Sequence, residues 1–177
     1  MNGQWGIFWV IAFLGFPPGG ALATLIIGHL NNPLQGILGG FLAGIVIGGA
    51  QFLALRGRLA IDAWWIVATA GALAVGVAIT VLIFGSETTL EAVVIRAPLT
   101  GLLLGMAQFL ILRQHVHNAW VWIPVITVVY TLAWYITGVV IKASLDQGFV
   151  VFGASGALVY QILTGVTLWW LLRNPIV

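Results

Sequence analysis

Two glutamines, Gln51 and Gln108, stand inside long apolar runs, each five residues before an arginine, Arg56 or Arg113. A side-chain amide facing hydrocarbon leaves donors and acceptors without partners, so both should turn into protein. There they either line a narrow polar cavity, ligate a pigment or ion, or bond across helices for about 0.6–2 kcal/mol each, and interhelical bonding is the expectation. The second feature is Phe16-Pro17-Pro18-Gly19-Gly20, in the middle of another apolar run. Two prolines remove two amide donors, and the glycines let the backbone leave the helix. In a transporter such a break exposes carbonyls and a half-helix end to substrate. A proline kink covered by a neighbouring helix is the plainer expectation. The third feature is a scatter of charge and imidazole at the opposite ends of the runs: His29, Glu87, Glu91, Arg96, Lys142 and Asp146. Arg96 is expected to snorkel outward or to pair with Glu91 or Asp146. Glu87 and Glu91 suit the first turn of a helix capped by Ser86. Capping and pairing are expected of this cluster, with an external recognition site as the alternative.

Most catalytic chemistry lacks its residues. Cysteine is absent, which removes thiolate nucleophiles, thiolate metal sites and disulfides together. No pair of carboxylates lies within an apolar run, no Gly-rich phosphate loop is present, and no metal site is expected. His115 and His117 sit in a short connection beside Arg113, where positive charge disfavours a metal. Lys142 is the one lysine and ends a span, a poor place for a Schiff base. Gly153-Ala154-Ser155-Gly156 resembles the serine motif of rhomboid intramembrane proteases, but such an enzyme needs a later histidine to take the serine's proton. None follows His117, so that reading is rejected and the chain is not expected to be an enzyme.

The elements that must carry these residues are membrane spans. The chain is 62% hydrophobic and 6% charged, with mean hydropathy +1.14, against about 25% charge in globular proteins. Six runs, 5–30, 34–55, 63–84, 89–112, 119–142 and 149–172, are long enough to cross a hydrocarbon layer of about 30 Å. The pI near 9.5 reflects few charges of either sign, and a solvated basic face for nucleic acid is missing. Arg56, Arg58, Arg113 and Arg173 fall on one side, which the positive-inside bias makes cytoplasmic, together with both termini. Trp5, Trp64, Trp65, Trp120, Trp122, Trp169 and Trp170 are expected to form an aromatic belt at that boundary.

The runs also repeat. Gly48-Gly-Ala-Gln-Phe-Leu-Ala-Leu-Arg56 matches Gly105-Met-Ala-Gln-Phe-Leu-Ile-Leu-Arg113 at seven of nine positions, followed by Asp62-Ala63-Trp64 and Asn118-Ala119-Trp120. Gly165 to Arg173 is a weaker third copy with Leu168 in place of the glutamine. Arg96 takes the place that Gly39 and Gly156 hold in the other copies. The expected architecture is therefore one all-α transmembrane domain over 1–177, made of three tandem helical hairpins, 4–58, 62–115 and 118–174. Its second, fourth and sixth helices carry small-residue stripes: Gly36, Gly40, Gly44 and Gly48; then Gly101 and Gly105; then Gly165. Such stripes allow close backbone approach in the manner of a glycine zipper, so these three helices are expected to pack centrally with the odd helices outside.

The repeated Gly-x-Ala-Gln-aromatic-Leu-x-Leu-Arg followed by Ala-Trp resembles repeats in uncharacterised small multi-pass membrane proteins of bacteria, including phototrophic lineages. The resemblance implies a bacterial cytoplasmic-type membrane and brings no activity. The functional expectation is a non-catalytic accessory or scaffold subunit, in contact with lipid and with membrane-protein partners. No cofactor is required, and lipid, quinone or pigment are the ligand classes that suit such a surface. The alternative is a small-molecule transporter or channel with its site at the broken first helix and the Gln51 and Gln108 level.

Overall fold

The structure, a computed structural model, describes residues 4–140, 151, 153–173 and 175–176. Among these, six helices are long and apolar enough to cross a membrane: Trp5–Ile27, Pro33–Leu55, Trp64–Phe84, Leu90–Leu112, Ala119–Val140 and Ala154–Leu171. The chain is an all-α polytopic membrane protein. Consecutive spans are neighbours, and the sixth also packs on the first, so the six close into a ring in chain order. Four of the expected spans agree with these to within two residues at either end. The first span ends three residues early and the last begins five late.

The ends of the spans follow from local chemistry. Asn32 accepts the Gln35 amide at 2.9 Å while the Gln35 side chain accepts the Asn31 amide at 2.9 Å, a reciprocal cap that starts the second span. Gly28 and Gly85 end the first and third spans at φ +84° and +77°, values that side-chain-bearing residues rarely adopt. The fourth span is capped by Thr89, whose hydroxyl accepts the Ala92 amide at 3.2 Å. This corrects the choice of Ser86, because the helix begins at Leu90, directly after Thr89.

The first span is interrupted by a 3-10 turn, Ala12–Gly15, and resumes as an α-helix at Phe16. Pro17 and Pro18 therefore occupy a helical first turn, where a missing amide leaves no bond unmade. Both prolines are exposed on the outside of the ring, while Gly19 and Gly20 are buried. A side chain at Gly19 would lie 3.1 Å from the Ala43 carbonyl, so the second span closes over the interruption.

The glycine stripes pack differently from expectation. A Cβ at Gly40 would stand 2.6 Å from the Leu73 carbonyl oxygen, and Gly36, Gly44 and Gly48 meet Ala78, Ala70 and Ile66 in the same way, all on the third span. Gly101 and Gly105 meet Thr127 and Ile123 of the fifth span, and Gly165 meets the Trp9 ring of the first. Each stripe thus faces the odd span beside it, and the stripes do not face one another across the middle. The reason is volume: the middle is occupied by large side chains from all six spans, and the glycines serve where two backbones run closest. Spans 2 and 3, and spans 4 and 5, are the most intimately packed pairs.

Candidate functional site

The middle of the ring holds a polar cluster. Gln51, Gln108 and Gln161, from spans 2, 4 and 6, are each at most 1% exposed. Gln51 donates to Gln161 Oε1 at 3.0 Å, and Gln108 donates to Gln51 Oε1 at 3.3 Å and to Thr69 Oγ1 at 3.0 Å. The odd spans contribute indoles: Trp65 donates to Gln51 Oε1 at 3.3 Å, and Trp122 to Gln108 Oε1 at 3.0 Å. Trp9 donates to Thr164 Oγ1 at 3.1 Å, and its carbonyl accepts from Gln161 Nε2 at 2.7 Å. The Trp9 ring lies edge-on to both others, with centroids 6.5 Å from Trp65 and 6.4 Å from Trp122. Every span supplies at least one member, so the network ties the ring together in low dielectric, where an unmade bond is most costly.

Gln51 and Gln108 are thus brought together, and two features of the cluster depart from the sequence reading. The third amide comes from Gln161, two turns before Leu168, which instead packs as a buried apolar residue. A helix face is shared by positions seven apart, so the sixth span presents an inward amide although the position aligned with Gln51 and Gln108 is Leu168. Trp65 and Trp122 do not belong to an interfacial belt: both are wholly buried, while their neighbours Trp64 and Trp120 are exposed. The signal was present in the spacing, since each of these two indoles lies fourteen residues after the glutamine it bonds.

The other candidates are dispersed. Gly19 and Gly20 are buried in the first span beside the exposed Pro17 and Pro18. Beyond the cluster, toward the opposite face, the Tyr160 ring lies tilted against Phe16 and edge-on to Tyr130, with centroids 5.5 and 6.4 Å apart. Arg96 is buried and spends its guanidinium on backbone: it donates to the carbonyls of Ala92 at 3.2 Å, of Gly85 at 2.8 Å and of Glu87. The expected pairing with the Glu91 carboxylate is replaced by this clamp, because the turn that follows Gly85 presents its carbonyls to the arginine. Glu87, Glu91 and His29 are not buried with it. Lys142 and Asp146 lie outside the described residues.

Chemically the cluster is neutral. Amides, indoles and hydroxyls neither exchange protons near neutral pH nor attack carbonyls. The Ser155 hydroxyl has no hydrogen-bond partner among the described residues. No group of three or more metal-ligating side chains occurs among the described residues either.

On the arginine face, Arg173 lies over the Trp169 ring at 3.5 Å. The Ile176 amide donates to the His115 carbonyl at 3.0 Å, fastening the segment after the last span to the connection between spans 4 and 5.

No family model, no curated protein and no solved structure matches the chain.

Proposed function

We propose that the chain is a non-catalytic accessory or scaffold subunit of a larger membrane complex. The observation that carries this reading is the self-sufficiency of the central cluster. Its three amides and three indoles bond one another, two threonines and one carbonyl, all within 1% exposure. A solute crossing at this level would have to break several buried bonds at about 1–3 kcal/mol each, for groups that offer it no charge. The surface is instead where contact is available: Trp64, Trp120, Trp169 and Trp170 are exposed on the arginine face, with a broad apolar exterior between the faces. Such a surface suits protein partners, lipid, quinone or pigment.

The alternative, a small-molecule transporter, rests on the 3-10 interruption of the first span. The two readings separate in one preparation. After gentle extraction from its native membrane, the scaffold reading predicts stoichiometric partner chains or a bound chromophore by mass spectrometry and absorption. A chain that purifies alone, passes a solute in liposomes, and loses that flux in Gln51→Leu or Pro17→Ala would overturn it.

A further inference from the structure

A groove of about 450 Å³ opens between the start of the third span and the end of the fourth, away from the central cluster. Its two ends differ in chemistry. Asp62, Trp64, Gln114 and His115 line the end at the arginine face, while Val67, Ala107, Leu110 and Ile111 line the walls a turn or two deeper. From Gln114 to Ala107 the helical rise is about 10 Å, which is the step from the headgroup level into the acyl region of a bilayer. The groove is therefore graded along the membrane normal as an amphiphile is.

The polar end selects among amphiphiles. One Asp62 carboxylate oxygen accepts the Trp64 amide at 2.9 Å, and the other has no protein partner among the described residues. Gln114 donates to the Leu110 carbonyl at 3.3 Å, so its side-chain oxygen remains an acceptor. The indole of Trp64 is 65% exposed beside them and adds an electron-rich face for a cation. Asp62 is the one formal charge in the lining, and neither arginine nor lysine contributes to it. Arg113, next to Gln114 in the chain, and Arg58, two residues before Ala60, are both exposed. A carboxylate, an amide oxygen and an aromatic face inside, with guanidinium groups outside, complement an ammonium joined to a phosphate.

We propose that this groove binds one aminophospholipid, its ammonium at Asp62 and Trp64, its phosphate toward Arg113 or Arg58, and an acyl chain along Val67, Leu110 and Ile111. The corresponding position of the next hairpin is Asn118, so the preference belongs to the groove between spans 3 and 4. The proposal does not depend on the chain being a subunit.

The test is native mass spectrometry of the full chain, exchanged into an equimolar mixture of phosphatidylethanolamine and phosphatidylglycerol with matched acyl chains. Wild type is expected to retain one phosphatidylethanolamine, preferred about fivefold, the scale of one partly exposed ion pair. Asp62→Asn keeps the acceptor for the Trp64 amide and is expected to retain its melting temperature while losing that preference. Ala107→Trp, which fills the apolar wall, is expected to lose both lipids. Equal or greater retention of phosphatidylglycerol by wild type would overturn the proposal. So would an unchanged preference in Asp62→Asn, retention of no lipid, or displacement of both lipids by an added short-chain quinone.

Discussion

Gln51 is the residue on which most of the interior bonding converges, since it donates to Gln161 and accepts from both Trp65 and Gln108. Replacing it with leucine removes one amide and strands an indole N–H and an amide oxygen in a dry interior. The expected loss is about 1–3 kcal/mol, read as a lower midpoint in detergent unfolding. A double-mutant cycle between Gln51 and Gln161 should give a coupling of about 0.6–2 kcal/mol. A coupling of zero would mean that the two amides do not meet. Arg96 illustrates the opposite solution for a polar group at depth. Three of its N–H groups satisfy carbonyls of its own helix and of the turn following Gly85, so a charge that looked available for recognition is absorbed in closing a loop.

At the level of helices, the glycines decide which spans can touch. Gly40→Ala would place a methyl group 2.6 Å from the Leu73 carbonyl oxygen and 2.9 Å from the Ala74 Cα. Backbone cannot yield as a side-chain tip can, so spans 2 and 3 must separate, at about 1–3 kcal/mol. Gly49→Ala in the same helix meets nothing within 4 Å and should be neutral or slightly stabilising through helix propensity. Thermal unfolding of the two variants side by side distinguishes a packed stripe from a general intolerance of alanine. The existence of the spans was legible in the sequence because apolar runs of about twenty residues have few other uses. The partner of each stripe was not legible. A glycine at every fourth position states that something comes close, but carries no information about which helix does. The tandem tryptophans misled for a related reason: adjacent residues on a helix point about 100° apart, so Trp65 can be buried while Trp64 is exposed. The inward glutamines were foreseeable from the cost of an amide in lipid. Gln161 escaped because alignment on Arg173 follows chain position, whereas packing follows the helix face.

For the whole molecule, closing six spans into a ring in chain order brings first and last together, and their seam is bonded by Trp9 to Thr164 and Gln161. The ring therefore has a filled middle, with polar groups that answer one another, and the scaffold reading depends on that middle being closed to water. The chain contains no cysteine, which permits a direct measurement. Thr69→Cys, nearly the same size, puts a thiol beside Gln108 at a position that is 0% exposed, and Gly57→Cys puts one on the open arginine face. With protein in sealed liposomes, a small membrane-impermeant thiol reagent should label the Gly57→Cys variant rapidly from the side that the arginine face occupies, and leave the Thr69→Cys variant unlabelled from either side. Labelling of the Thr69→Cys variant at a rate comparable to the surface control, from either side, would mean that water reaches the glutamine level and that the closed core described here is wrong.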